Sequence, residues 1–339
     1  MSEAKPRRRW LWLGGSLSAL LTILVLLGLA AVWGIRSFEA PGPLAEDKVL
    51  NIERGSGLAA ISRGLEEAGV VASGWLFEQG VRAQGEARQM KAGEYLFPAG
   101  VSMRGVMEIL QGGKVVQYAL TLPEGLTSVE AMALVEAAEA LEGTVDAVPP
   151  EGSLLPETYH YGRNESRSDL IARMEAAARA TLEELWAERQ PELPLDSPEQ
   201  ALILASIVEK ETGMAEERPL VAAVFINRLR KGMRLQSDPT VVYGITLGKA
   251  PLGRALTRAD LKAPTVYNTY QIDGLPPTPI ANPGRASIAA VLQPAASDFL
   301  YFVADGSGGH AFAKTLAEHN RNVAKWRKIQ KQQKSSAGG

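Results

Sequence analysis

From Trp10 to Ile35 the chain carries no charged residue, and the heart of that run reads LLTILVLLGLAAVWGI. A helix needs roughly 20 apolar residues to cross the hydrocarbon core of a bilayer, so the run is long enough to span one with some tilt. Lys5, Arg7, Arg8 and Arg9 precede it, whereas Arg36, Glu39, Glu46 and Asp47 follow without a basic cluster. The preference of Lys and Arg for the cytoplasmic side then predicts a cytoplasmic tail over 1–9, a transmembrane helix over 10–35, and everything later across the membrane. Trp10, Trp12 and Trp33 stand near the two ends, where amphipathic rings suit the headgroup layer. A cleaved signal peptide has a shorter apolar core, about 7–15 residues, and a small-residue cleavage site. This core is longer and ends AAVWGIR, a poor site, which favours an uncleaved anchor.

The anchor leaves enough chain for two globular domains. A net charge of −2 gives no sign of nucleic acid as a partner. Cysteine is absent, which excludes disulfide scaffolds and thiol catalysis. His310 and His319 are nine residues apart without an H-E-x-x-H pattern, so no metal site is expected. There is no G-x-S-x-G elbow and no S-x-x-K pair. GITLGK (Gly244–Lys249) is one residue short of a phosphate loop, and Ala250 stands where a hydroxyl would hold magnesium.

Residues 36–46 read as a linker of Pro, Gly and acids. A strand at Val49–Ile52 then gives way to helical spacing at Leu58, Ile61, Leu65 and Ala68. WLFEQGVRAQG reads as a helix, KAGEYLFPAG as strand and turn, SMRGVMEILQGG as a helix, and VVQYALTLPEG as a returning strand. Together they predict a compact α+β module over 47–122. A mainly helical domain over 123–328 follows, and a basic tail over 329–339 that should be flexible. Ser197-Pro198-Glu199 has the form of a helix start, with a capping Ser and Pro in the first turn.

The helix it opens reads ALILASIV with Ser206 its one polar residue, and a helix apolar on all sides is buried. It ends in Glu209, Lys210 and Glu211. Glu209 sits above Ala205, Ser206 and Leu202, so its carboxyl has room for a substrate in a desolvated setting suited to a proton donor. A helix-end carboxylate paired with Lys210 or Arg218 accounts for the same residues. Glu211 points elsewhere and reads as structural or solvated. Downstream, Asn, Gln, Asp and Tyr recur beside Pro and Gly, as a polar groove for hydroxyl-rich ligands requires; the same residues also build turns.

ASIVEKET, VFINRLRKGMRLQSDPTVVYG, YNTYQIDGLPPTPIANPG and YFVADGSGGHAF, in that order, resemble the endolytic murein transglycosylases of the YceG-like family. The resemblance covers almost the whole chain. It implies an α+β architecture: a single-pass inner-membrane anchor with its catalytic part periplasmic, a small LysM-like module, and a mainly helical lytic-transglycosylase-like domain with added strands. It places the catalytic glutamate of ASIVEKET on Glu209. That residue would protonate the oxygen leaving N-acetylmuramic acid at its β-1,4 link to N-acetylglucosamine, then take the proton of the C6 hydroxyl that attacks C1. A 1,6-anhydro ring results and no water is consumed. Gln236, Asp238, Tyr243, Asn268, Tyr270 and Glu157 are expected to position substrate. The expected partners are peptidoglycan strands, the membrane and cell-wall synthases such as penicillin-binding proteins, with no cofactor. Two alternatives remain open: a two-carboxylate hydrolase using Asp238 or Glu157 as the second group, and a non-enzymatic glycan-binding scaffold.

Overall fold

The computed structural model describes the backbone of residues 7–337 and the side chains of 18–333. The chain divides into two compact units: one of residues up to Tyr118 together with Gly162–Asn164, the other of Ala119–Tyr161 and Glu165 onward.

The first unit opens with α1 (Arg7–Glu39), and one stretch of it, Ser18–Glu39, is long and apolar enough to cross a membrane. Helix α1 is longer than the sequence suggested. Instead of giving way to a linker after Ile35, it continues to Glu39, because Phe38 is buried against Phe77 with ring centroids 6.2 Å apart. Of the tail expected over 1–9, residues 1–6, Lys5 included, lie outside the described residues, and so do the side chains of Trp10 and Trp12.

Beyond α1 come β1 (Lys48–Ile52), α2 (Leu58–Glu67), α3 (Gly74–Ala83), β2 (Gly93–Phe97) and α4 (Met103–Gly112). Strands β1 and β2 pair antiparallel, with Leu50 opposite Tyr95. The Ser73 side chain caps α3 and that of Ser102 caps α4, while α4 ends on Gly113 in the left-handed region. Phe77, Tyr95, Phe97, Leu65 and Leu110 form the core. Residues 162–164 return to this unit because the Arg163 guanidinium donates to Glu94 at 2.7 Å, and Tyr118 donates to the same carboxylate at 2.6 Å. The structural boundary therefore falls after Tyr118 rather than at 122.

Strand β3 (Gln117–Thr121) leads into the second unit, through α5 (Ser128–Ala137), β4 (Leu141–Glu142), β5 (Thr158–Gly162), β6 (Glu165–Ser166) and α6 (Arg167–Ala187). Strand β3 pairs with β5, and β4 runs parallel to β6. Next are α7 (Pro198–Glu211), α8 (Arg218–Arg230), α9 (Asp238–Thr246), α10 (Arg285–Leu292), the antiparallel hairpin β7 (Tyr301–Ala304) and β8 (His310–Ala313), and α11 (Leu316–Ala337). Ser197 caps α7 as its sequence indicates, accepting from the Gln200 amide, with Pro198 in the first turn. Helix α7 is the buried centre of this unit: Ala201, Leu204, Ala205, Ile207 and Val208 have no exposed surface and pack on α8 and α10. Helix α11 runs on from residue 329 through Ala337, with 338–339 outside the described residues, and Gly306 lies close against Trp326 and Ile329 of that helix.

Candidate active site

Two carboxylates end α7, and the helix turn separates them. Each residue advances about 100°, so Glu209 and Glu211 project to nearly opposite sides.

Glu209 is only 5% exposed and fully engaged. One carboxylate oxygen accepts from the Gly284 N–H at 2.9 Å, and the other lies 3.4 Å from Nη2 of Arg218. That same nitrogen donates to Glu124 at 2.8 Å, so one guanidinium ties two carboxylates. Lys210, between the two glutamates, donates to the Gly125 carbonyl at 3.0 Å. The ion pair with Arg218 that the sequence offers as one reading of Glu209 is present.

Glu211 faces a cavity of about 430 Å³. Its Oε1 accepts from the Ser237 hydroxyl at 2.5 Å. Burial pushes its pKa up to about 7 and the nearby Asp238 carboxylate adds to this, while the Ser237 hydrogen bond, His310 and Arg228 pull the other way. The carboxyl therefore exchanges its proton near neutral pH, with one side open to a space of ligand size. The sequence reading set this residue aside as structural or solvated. No local signal separates it from Glu209, because Ala205, Ser206, Ile207 and Val208, the residues beneath the two, are all fully buried.

The polar residues expected around Glu209 gather around Glu211 instead. Asp238 opens α9 and accepts from the Tyr270 hydroxyl at 2.7 Å. Burial first, and that bond second, keep the phenol firmly protonated. Gln236 sits at φ +53°, a left-handed backbone that a non-glycine residue seldom adopts, and its side chain accepts from Arg228 at 3.3 Å. Arg228 is buried at the back of the cavity. It donates to the carbonyls of Leu300 (2.7 Å), Leu235 (2.9 Å) and Arg234 (3.1 Å), with its guanidinium 5.2 Å from the Tyr301 ring centroid. Desolvation weakens its hold on its proton. Tyr301 and His319, stacked on one another, complete the wall. Sequence reasoning missed Arg228, Ser237, Tyr301 and His319, which come from distant segments and share no local pattern.

Three predicted residues lie elsewhere. Asn268 is fully buried, and its side chain is committed to the chain itself. The amide donates to the Ala263 carbonyl at 2.7 Å and the oxygen accepts from the Tyr270 N–H at 3.0 Å. It fastens the loop that carries Tyr270 rather than facing a ligand. Tyr243 is edge-on to Tyr267 at 4.9 Å and borders a second cavity of about 540 Å³, together with Lys210 and Glu130. Asp238 borders both cavities. Glu157 is exposed and lines neither.

Comparison with known proteins gives the family. Residues 50–325 match the model of the YceG-like family. A protein of Bacillus subtilis (strain 168) named endolytic murein transglycosylase is 32% identical over 309 residues, covering 82% of this chain and 84% of that one. A protein of the same name from Streptococcus pneumoniae serotype 2 is 29% identical over 324 residues, 81% of this chain but 57% of the longer pneumococcal one. The crystal structure of a YceG-like protein from Listeria monocytogenes, 30% identical, covers 81% of this chain and 99% of its own, with a TM-score of 0.49. The chain belongs to the YceG-like family.

Proposed function

We propose that this protein is a membrane-anchored peptidoglycan lytic transglycosylase that cuts within glycan strands, and that Glu211, rather than Glu209, is its acid and base. The observation that carries this reading is the Glu211 carboxyl, raised to about 7 by burial and facing a polar, aromatic-walled cavity. The names of the relatives supply the substrate class: they are endolytic murein transglycosylases.

A residue that is acid in one step and base in the next works best with a pKa near ambient pH. In the first step the Glu211 proton passes to the glycosidic oxygen as the bond from that oxygen to C1 of N-acetylmuramic acid breaks. In the second, the carboxylate takes the proton of the same sugar's C6 hydroxyl as its oxygen bonds to C1. The product is the 1,6-anhydro sugar, and Glu211 is protonated again. Ser237 aims the carboxyl, and Asp238 and Tyr270 offer hydrogen bonds to sugar hydroxyls. Glu209, through Arg218 and the Gly284 amide, fixes the end of α7 and with it the position of Glu211.

The apolar stretch of α1 would hold the catalytic unit on the outer side of the inner membrane, where new strands are polymerised and synthases work. The small first unit would be the LysM-like module that the resemblance implies, although it departs from a plain LysM in order and length.

Asp238, beside Glu211, makes a two-carboxylate hydrolase the reading to compare. Digestion of purified sacculi followed by mass analysis of the muropeptides separates them. Anhydro ends, 18 Da lighter than the corresponding reducing ends by the water not consumed, are expected; reducing ends would mean hydrolysis. No release would mean a binding role.

A further inference from the structure

Helix α1 enters the first unit without a joint. Its hydrogen bonding continues to the Ala40 amide, which donates to the Arg36 carbonyl at 2.9 Å. Phe38 is stacked on Phe77, and Glu39 pairs with Arg104 at 2.9 Å. The Phe38 ring lies so close to Gly80 that any side chain there would collide with it. The last turns of α1 are thus fixed to α3 and α4.

That attachment sets a depth. Ile35 is the last residue of the uncharged run, and at 1.5 Å per residue Phe38 lies only about 4.5 Å further along the axis. The headgroup layer is roughly 5–7 Å thick on each side of the hydrocarbon core. If α1 spans, whatever packs on Phe38 is within that layer. Between α1 and α3 runs a mostly apolar groove of about 440 Å³, with Ala31, Gly34 and Ile35 on one side and Leu76, Gly80 and Ala83 on the other. Three of its ten lining residues, Ala31, Gly34 and Ile35, belong to the apolar run itself, so the medium around the end of the run is also the medium at that side of the groove. Trp75, the residue before groove-lining Leu76 at the start of α3, is 68% exposed, the most exposed indole among the described residues. Its backbone is fixed in place. Ser73 caps the helix, and Gly74 sits so close to the Ser62 carbonyl that a Cβ there would lie 2.6 Å from it. An indole presented in this way suits the headgroup layer, where one edge meets apolar chains and the N–H meets water and esters.

We propose that the face formed by the end of α1 and the start of α3 is seated in phospholipid, with Trp75 in the headgroup layer and an acyl chain in the groove. This rests on α1 being the anchor, and it adds that the small unit lies on the membrane rather than hanging from it. The partner is the lipid of the leaflet on that side.

The test uses full-length protein in phosphatidylcholine liposomes, with all but one of the six Trp residues replaced by Phe. One version keeps Trp75 and the other keeps Trp33. Lipids brominated near the ester end of the acyl chain report contact with the bilayer, and aqueous iodide reports contact with water. Quenching of both indoles by brominated lipid is expected, with iodide quenching of Trp75 several-fold below that of free tryptophan. If Trp33 is quenched by brominated lipid and Trp75 only by iodide, the seating is wrong and the anchor stands. If neither responds to brominated lipid, both readings fall. Should the Phe replacements unfold the protein, a nitroxide on Gln79→Cys, in a chain without other cysteines, reads the depth of the groove. Greater accessibility to oxygen than to an aqueous nickel complex supports lipid, and the reverse overturns it.

Discussion

At the scale of single residues, two glutamates one residue apart have opposite surroundings, and this has measurable consequences. Glu211 has its carboxyl raised from 4.5 to about 7, so between those values the folded protein holds a proton that the unfolded chain releases. Stability attributable to this residue is therefore full below about pH 4.5, falls as pH rises, and is lost above about 7. Asp238 strengthens the effect, and Ser237, His310 and Arg228 moderate it. Glu211→Gln should flatten this slope: Tm close to wild type at pH 4, above it at pH 8. A steeper loss in the variant would mean the carboxylate is stabilised as an anion instead. By the same logic, wild-type activity should decline above about pH 7, because the first step needs the protonated acid. Tyr270→Phe removes the hydroxyl that steadies Asp238. With a hydrogen bond to a charged group at about 1.5 kcal/mol, kcat/KM should fall roughly tenfold with Tm little changed.

Small residues lie under Glu209, and around its carboxylate the fold brings Gly284 from a distant segment and Arg218 from the start of α8, which also holds Glu124. Gln236, Asp238 and Tyr270 were legible as polar residues among turn formers, and they do share one cavity. Asn268 looked the same in sequence. Only the backbone carbonyls that curl around its amide show that it builds the loop.

At the scale of elements, most of the secondary structure was legible because periodicity and caps agree. Ser197 with Pro198 opens α7 where expected, and the alternating strands at 48–52 and 93–97 pair as a hairpin-like couple around two helices. The end of α1 was not legible. Arg36 and the Pro-Gly pair suggest that α1 stops at the membrane, yet Phe38 has a place in the core of the small unit; the basic stretch of α11 reads as a solvated helix end, and residues 331–333 of that helix are exposed. The extension of α1 yields a test. A soluble version starting at Asp47, as the expected linker end would advise, discards Phe38 and leaves Phe77 and Gly80 facing water. One starting at Arg36 keeps the contact. Deleting a buried Phe typically costs 3–5 kcal/mol, so the shorter version should unfold at distinctly lower urea concentration in the transition assigned to this unit. Equal midpoints would show that Phe38 contributes nothing there.

At the scale of the whole molecule, the order of parts was plain from the sequence: an apolar run, a small mixed unit and a mainly helical unit. The run limits where the chemistry is done, and the family resemblance supplies what the chemistry is. A version released from the membrane should still cut isolated glycan but act on less of the newly made strand in cells, which pulse-labelled wall with strand-length analysis would register. The central claim is the assignment of the acid, and paired isosteric variants test it most directly. Glu211→Gln and Glu209→Gln would each be incubated with purified peptidoglycan, and the anhydro-ended muropeptides counted by mass. Loss of at least a thousandfold is predicted for Glu211→Gln with its fold intact, as removal of a group that acts in both steps requires. For Glu209→Gln, which keeps the shape but weakens the tie to Arg218, measurable cutting and a lower Tm are predicted. The opposite pattern, an active Glu211→Gln and an inert but stably folded Glu209→Gln, would contradict the account.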